Sequence, residues 1–306
     1  MRAETTDRWA RWLLHDRFAG DPVALRRTLE YLEPIRDRVL AGAAIESGDV
    51  VVDVGCGDGL IGFGALGLVG DAGQVLFADI SEELLDRCRE LAAEFGVSGQ
   101  CRFLRTTAET LDGVDDSSVD VVATRSVLIY VEDKASAFAA FRRVLRPGGR
   151  VSLFEPINRR YTDLNRDTLF GFDASPIAEL AAKVMAVFKA AAPADGAMMG
   201  FDETDLLRLA ETAGFVNITV TFELSSTDRP PFHGFSWSQL MKISPNPNAP
   251  SFGEAIAQAL TANEIASLET YLRPLVDSGI GGRLRRADVY LTAESPEHFS
   301  PSRAPT

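Results

Sequence analysis

Short apolar runs alternate with amphipathic segments along the first half of the chain. The runs are rich in valine and have little polar interruption, which is typical of parallel strands covered on both faces. The segments between them carry apolar residues at helical spacing and begin at residues that favour a helix N-terminus. This alternation predicts an α/β fold with a parallel sheet. The predicted strands are 50–54, 74–78, 101–105, 119–124 and 150–154.

The regular alternation stops after the fifth predicted strand. Residues 156–200 contain one clear helix, for which Ser175 is the expected N-cap, and Asp202 is expected to cap the next helix. Apolar and polar residues then alternate over 215–224, as in a strand with unlike faces. A last strand over 286–293 is expected to pair antiparallel with it. The second half therefore predicts two more strands separated by long insertions.

Further helices are predicted before the first strand and between the last two strands. Residues 6–19 form an amphipathic pattern, and Pro22 opens a second helix that Pro34 is expected to bend or break. The stretch 225–282 carries two helices that each begin with a capping box. The insertions either build a pocket for a substrate or serve dimerisation and packing, and the sequence leaves both alternatives open.

The first strand ends in a turn rich in glycine. Gly55, Gly57 and Gly59 leave room for a ligand to approach the backbone closely, and a helix beginning at Leu60 directs free amides into the same space. About 20 residues later the second strand ends in Asp79, whose carboxylate could accept both hydroxyls of a ribose. The glycine turn and the distal acid together predict a site for a nucleotide-like ligand.

The spacing of these glycines distinguishes between cofactors. A dinucleotide-binding turn, G-x-G-x-x-G, requires glycine where this chain has Leu60, which disfavours a nicotinamide-dependent reductase. The run Asp53–Gly59, with glycine at every second position after the acid, resembles motif I of the class I S-adenosylmethionine-dependent methyltransferases. The order of the downstream elements agrees with that family, and so does the turn Pro147–Gly149 before the fifth strand.

The resemblance implies a fold and a domain organisation. It implies an α/β, Rossmann-like sheet of seven strands with helices on both faces, to which this chain adds N-terminal helices and two mainly helical insertions. The expected organisation is an N-terminal helical lid over 1–44, a cofactor-binding core over 45–155, a helical insertion over 156–205, late core elements over 206–224 and 284–295, and a second insertion over 225–283 as an acceptor cap.

The resemblance also implies S-adenosylmethionine as the cofactor and S-adenosylhomocysteine as its product. The methionyl group would lie along the glycine turn, the ribose hydroxyls on Asp79, and the adenine ring beside Ala108 and Glu109. Arg125 would meet the cofactor carboxylate or a substrate anion, or would only pair with Asp133. Tyr31 would contact the cofactor or merely pack. The expected cofactor-binding residues are Asp53, Gly55, Cys56, Gly57, Asp58, Gly59, Asp79, Ile80, Ala108, Glu109, Arg125, Ser126 and Tyr31.

Methyl transfer from a sulfonium is a direct displacement, so holding the acceptor in line with the methyl group does most of the catalysis. A phenolic acceptor gains further from a nearby base. His233 and Tyr130 are the catalytic candidates, with Glu155 and Asn158 as weaker ones. No spacing of histidines and carboxylates suggests a metal site. The expected reaction is O- or C-methylation of a small organic acceptor, and the alternative is a non-catalytic S-adenosylmethionine-binding protein.

Charge and cysteine content narrow the expected partners and location. The net charge of −13 disfavours nucleic acids and anionic membranes as partners, which leaves a small-molecule acceptor. Three cysteines without a C-x-x-C pair suit a reducing compartment. No stretch reaches the roughly 18 apolar residues of a membrane span. A cytoplasmic protein is therefore expected, as a monomer or a homodimer.

Overall fold

The computed structural model describes residues 7–17, 22–193, 196–228, 234–278 and 282–297. Its main sheet has seven strands, in the order β3-β2-β1-β4-β5-β9-β8, and two short strands, β6 and β7, form a separate hairpin. The strands are β1 Val50–Val54, β2 Gln74–Asp79, β3 Cys101–Arg105, β4 Val119–Arg125, β5 Leu145–Pro156, β6 Thr168–Leu169, β7 Phe172–Asp173, β8 Val216–Thr227 and β9 Leu284–Glu294.

Strand direction divides the sheet into two parts. Strands β1 to β5 pair in parallel. Strand β9 runs opposite to β5. The amide of Gly148, early in β5, donates to the carbonyl of Ser295, just past the end of β9, which shows this direction. Asn217, early in β8, likewise donates to the carboxylate of Glu294, at the end of β9. The seven-stranded α/β sheet predicted from the sequence is confirmed, with its two late strands side by side.

Eleven α-helices lie within the described residues. Several begin where their caps predict: the Ser81 hydroxyl accepts from the Leu84 amide, and Asp202, Ser251 and Thr261 each take part in a capping box. The helices are α1 Arg8–Arg11, α2 Pro22–Gly42, α3 Leu60–Val69, α4 Glu82–Glu94, α5 Lys134–Val144, α6 Asn158–Leu164, α7 Ala178–Ala191, α8 Glu203–Thr212, α9 Trp237–Leu240, α10 Phe252–Ala259 and α11 Ala262–Asp277.

Several elements differ from the prediction. The helix predicted over 6–19 is a single α-helical turn, α1, followed by a π-helical turn over Trp12–Asp16. Helix α2 continues through Pro34 rather than ending there. Ser175 does not cap α7; it lies in a 3-10 turn, and its own amide and hydroxyl donate to Asp173. The Ser175 hydroxyl therefore donates to an acid two residues earlier, and α7 begins without a side-chain cap.

The Pro-Gly-Gly turn lies inside a strand instead of before it. Leu145 pairs with Val119, but the next paired residue on β5, Arg150, faces Val121. The residues between them, 146–149, form a bulge in which Gly148 has a φ of +76°. Strand β5 consequently begins five residues before the predicted start at 150, because the chain resumes its pairing with β4 after the bulge.

The described chain falls into two compact units. The insertion unit comprises Met1–Pro34, Pro156–Phe201 and Phe222–Asp288, and the core unit comprises Ile35–Glu155, Asp202–Thr221 and Val289–Thr306. In the core unit, the strands β1, β2 and β4 are almost completely buried, as expected of parallel strands covered on both faces. None of the described helices has both the length and the apolar run that a membrane crossing needs.

The insertion unit has its own apolar core. It gathers side chains from the β6–β7 hairpin and from helices α7, α9, α10 and α11. Phe252 lies at its centre, fully buried, with ring centroids 4.7 Å from Phe170 and 6.2 Å from Trp237. The buried members of this core are Leu169, Phe172, Ala174, Ala181, Val184, Leu240, Phe252, Ala255, Ile256, Leu260, Leu268, Leu272 and Val276.

Candidate active site

The acid of motif I holds the glycine turn against the first helix. Asp53, near the end of β1, is 1% exposed, and its Oδ2 accepts a hydrogen bond from the Gly62 amide at 2.8 Å. Burial raises the pKa of Asp53 to about 8, against the opposing effects of the Gly62 amide and the positive charge of Arg125. The side chain thus joins the end of β1 to the first turn of α3, and Arg125 lies within its electrostatic reach.

The turn itself depends on glycine. Gly55, Gly57 and Gly59 have φ values of +64°, +56° and +87°, a region that other residues rarely adopt. A Cβ on Gly55 would lie 2.3 Å from Val127 Cγ2, and one on Gly59 would lie 2.5 Å from the Phe63 ring. Gly59 occupies the N-cap of α3 and provides no side chain to cap it. This start of a helix is therefore suited to a bound carboxylate or a polar ligand.

Asp79 joins the glycine turn to the second strand. Its carboxylate is 7% exposed and accepts from two backbone amides, Gly57 at Oδ2 and Ser81 at Oδ1, both at 2.9 Å. Ile80, the next residue, is 43% exposed. The acid is thus fixed beside the turn from which the sequence predicts cofactor binding.

The loop after β3 reaches the same place. The Thr106 amide donates to the Asp79 carbonyl at 3.0 Å, which brings the following residues alongside the end of β2. Ala108 is buried, whereas Glu109 is partly exposed. Both residues predicted to contact the adenine ring therefore follow a segment bonded to the residue predicted to hold the ribose.

A buried acid holds the loop after β4. The sequence analysis did not predict this role. Glu155, at the end of β5, is 0% exposed and accepts from the amides of Val127 and Leu128 at 2.9 Å and of Ile129 at 3.2 Å. The Ser126 amide donates to the Phe154 carbonyl at 2.8 Å. The only signal in the sequence is an acid at the carboxyl end of an apolar strand.

Arg125 lies beside Asp53 in this arrangement. Its guanidinium reaches the Ser126 hydroxyl at 3.4 Å, and its charge lowers the pKa of Asp53. Asp133, the structural alternative from the sequence, instead caps α5 by accepting from the amide and hydroxyl of Ser136. The contacts of Arg125 thus lie on the side of the glycine turn.

The structure places the remaining candidate residues in different parts of the chain. Tyr130 ends the 3-10 turn Leu128–Tyr130, whose first amides Glu155 accepts, and it is partly exposed. His233 lies outside the described residues. Tyr31 belongs to the insertion unit, where the Arg286 guanidinium stacks on its ring at 4.6 Å. Asn158, also of that unit, donates to the Met198 carbonyl, which accounts for its amide without a catalytic role.

Comparisons with known proteins agree with this geometry. A family model described as a methyltransferase domain matches residues 51–149. A ubiquinone/menaquinone biosynthesis C-methyltransferase of Cronobacter sakazakii is 29% identical over 184 residues, which cover 58% of this chain and 70% of the relative. A ubiquinone biosynthesis O-methyltransferase of Methylococcus capsulatus is 34% identical over 139 residues, 45% of this chain and 56% of the relative.

A solved structure agrees in fold. The YcgJ protein of Bacillus subtilis superposes with a TM-score of 0.55 over 86% of this chain and 98% of its own, at 15% sequence identity. The matched segment 51–149 contains the glycine turn, Asp79 and the loop after β4. Residues 51–149 therefore match a methyltransferase domain, and the enzyme takes its methyl group from S-adenosylmethionine.

Proposed function

We propose that S-adenosylmethionine lies across the ends of β1 and β2 in the core unit. The methionyl group runs along Gly55–Gly59, and the ribose hydroxyls donate to Asp79. The observation that carries this placement is the double anchoring of Asp79 by the Gly57 and Ser81 amides, which fixes the carboxylate beside the glycine turn at the end of the second strand. Neutral hydroxyls bonded to a fixed carboxylate are among the stronger hydrogen bonds in proteins.

The other cofactor contacts follow from the same placement. Ile80, Ala108 and Glu109 would surround the adenine, and Arg125 with Ser126 would face the methionyl end. The left-handed glycines support this placement. A Cβ added to Gly55 or Gly59 would meet neighbouring side chains, so the turn has little room to change its conformation. Asp53 would act indirectly, by holding the turn onto α3.

The acceptor in this proposal is a small aromatic molecule that is methylated at oxygen or carbon. The two relatives named above act in quinone biosynthesis as C- and O-methyltransferases. The net charge of −13 disfavours a nucleic-acid acceptor.

Methyl transfer requires little from the protein beyond the correct placement of the two reactants. Bound S-adenosylmethionine would supply the methyl group, which an acceptor oxygen or carbon would take in line with the carbon–sulfur bond, and breaking that bond would leave a neutral thioether. A dry, oriented site can lower such a barrier by up to about 7–11 kcal/mol. The proton lost by the acceptor goes to a base, for which Tyr130 and His233 are our candidates.

Free thiols support a reducing location. Cys56, Cys88 and Cys101 are free thiols, and burial raises the pKa of Cys56 and of Cys101. We propose a cytoplasmic enzyme on this ground.

Calorimetric titration with S-adenosylhomocysteine tests the cofactor placement. Asp79→Ala removes both hydroxyl contacts, so we expect the dissociation constant to rise on the order of 100-fold. Asp71→Ala changes an exposed aspartate in the turn before β2 and is the matched control, with unchanged affinity expected. Tight binding of NADH, or S-adenosylhomocysteine affinity unaltered by Asp79→Ala, would contradict the placement.

A screen with methyl-labelled S-adenosylmethionine tests the acceptor class. Phenols, hydroquinones and naphthoquinols are expected to accept label, and aliphatic amines and RNA are not. Mass spectrometry of the product then assigns the methyl group to oxygen or carbon. Labelling of amines or nucleic acid in preference to aromatic rings would overturn the proposed acceptor without affecting the cofactor site.

A further inference from the structure

Glu155 is the most completely buried carboxylate at the carboxyl edge of the sheet, and methyl transfer as described above does not use it. Its Oε1 accepts from the amides of Val127 and Leu128, and its Oε2 accepts from the amide of Ile129. Three successive amides that converge on one carboxylate form an anion-binding turn filled by the protein's own side chain. These three bonds span the chain from the end of β5 to the loop after β4.

The loop held in this way touches the glycine turn. Val127 Cγ2 occupies the space where a Cβ on Gly55 would lie, at 2.3 Å from that position. Ser126 has a φ of +56°, a strained value for a residue with a side chain, and its amide is bonded to the Phe154 carbonyl. The loop is therefore held in a conformation that its own sequence does not favour, by contacts from the end of β5.

One charged group bears directly on the Glu155 carboxylate, and a second acts on that group. Lys134, at the first position of α5, favours the anion, and Glu132 in turn favours the charged form of Lys134. The Lys134 ammonium donates to the Val131 carbonyl at 2.8 Å, so it is fixed beside the same loop. Burial outweighs these effects and the three amides, and it raises the pKa of Glu155 to about 7.

We propose that Glu155 is a positioning residue whose carboxylate holds residues 126–129 against the glycine turn and thereby sets the affinity for S-adenosylmethionine. Protonation of Glu155 places a hydrogen on an oxygen that faces an amide donor, so the loop loses part of its anchor. Affinity then falls as the pH is lowered through about 7. This inference rests on the proposed placement of the cofactor along Gly55–Gly59.

The test compares Glu155→Gln with wild type by titration with S-adenosylhomocysteine at pH 6, 7 and 8. Glutamine keeps the shape but presents an amide donor to at least one of the three N–H groups. We expect its dissociation constant to exceed the wild-type value about tenfold at pH 8. At pH 6 wild-type Glu155 is mostly protonated, so the ratio should fall to about twofold. Other titrating groups affect both proteins alike and cancel in the ratio.

Asp202→Asn is the matched control. Asp202 also accepts from two backbone amides, at the start of α8 in the same unit, but away from the glycine turn. Asp202→Asn should lower the melting temperature and leave the dissociation constant for S-adenosylhomocysteine unchanged at every pH. A merely structural Glu155 would behave in the same way, so a Glu155→Gln protein with wild-type affinity at pH 6 and pH 8 would overturn the inference.

Val127→Ala decides the question if Glu155→Gln does not fold. It leaves Glu155 in place and removes the methyl groups that fill the space beside Gly55. We expect about threefold weaker binding, at the same ratio to wild type at each pH, and unchanged binding would overturn the inference. If Asp79→Ala weakens binding and these variants do not, only the role of Glu155 fails. If Asp79→Ala has no effect either, the cofactor placement fails as well.

Discussion

The acids at the carboxyl edge of the core sheet and two capping acids of the insertion unit are held in opposite ways. In the core unit, Asp53, Asp79 and Glu155 are buried at the ends of β1, β2 and β5, and each accepts from backbone amides of a following or neighbouring segment. In the insertion unit, Glu254 and Glu264 lie in the first turns of α10 and α11, where they are at least partly exposed and complete local capping boxes. The core of that unit consists of apolar residues.

The difference reflects what each region must hold. Burying a carboxylate costs free energy unless several donors compensate it, so a helix is stabilised more cheaply by an exposed cap. The loops at the carboxyl edge of the sheet have left-handed residues, which interrupt regular helical hydrogen bonding. Buried acids fix these loops where a ligand needs a preformed site, whereas the insertion unit needs only packing and local capping.

The largest effect is expected from a substitution in the apolar core of the insertion unit. It tests whether that core is separate from cofactor binding. Phe252→Ala removes a fully buried ring, which should lower the free energy of unfolding by about 3–5 kcal/mol. Urea unfolding measures this loss, and titration with S-adenosylhomocysteine should give a dissociation constant within about twofold of wild type.

Phe141→Ala is the counterpart in the core unit. Phe141 is also fully buried, with its ring 5.9 Å from Phe138 on α5. A similar loss of stability is expected, accompanied by weaker cofactor binding. The contrast between the units would break if Phe252→Ala weakened cofactor binding as much as Phe141→Ala did.

A glycine exchange gives the next largest effect and sharpens the contrast within the core unit. Gly55→Ala combines a left-handed backbone with the 2.3 Å approach to Val127, so we expect a loss of about 3 kcal/mol and weaker cofactor binding. Gly67 lies inside α3 with no atom within 4 Å of its Cβ position, so Gly67→Ala should stabilise by about 0.5–1 kcal/mol. Thermal melting of both variants should show shifts of opposite sign.

The sequence predicted the parts of the site whose partners are close in the chain. The glycine turn follows its strand directly, and Ser81 and Asp202 cap helices that begin at the next residue. Local rules act over these distances. Asp79 was predictable because the distance from a glycine turn to the acid of the second strand is nearly constant in folds of this kind.

The parts that the sequence missed depend on distant contacts. The amides that donate to Glu155 lie 26 to 28 residues earlier in the chain. No local sequence pattern relates these amides to Glu155. Strands β6 and β7 have two residues each, too few for an alternating pattern, and their connection includes Gly171, whose carbonyl accepts from Arg283 at 2.7 Å. Tertiary contacts decide these elements, so periodicity does not predict them.

The pH dependence of stability gives a smaller effect than the phenylalanine and Gly55 exchanges, and it separates the two kinds of acid. The pKa of Asp53 is raised to about 8, above its ordinary value near 4, so its contribution to stability is fully present at low pH and is lost as the pH rises toward 8. We expect the free energy of unfolding to fall by about 2 kcal/mol between pH 6 and pH 8. Asp53→Asn remains neutral and can still accept from Gly62, so it should lack most of this fall.

Glu264 in the insertion unit has the opposite sign. Its salt bridge to Lys183 and its capping bonds with Thr261 lower its pKa to about 2, so its contribution is present above the ordinary value near 4.5 and is lost as the pH falls toward 2. Glu264→Gln should therefore match wild type at the acid end and be less stable at neutral pH. Asp53→Asn should match wild type at pH 6 and exceed it at pH 8. Urea unfolding across this range measures both, and slopes of the same sign for the two variants would contradict the division between buried anchoring acids and exposed capping acids.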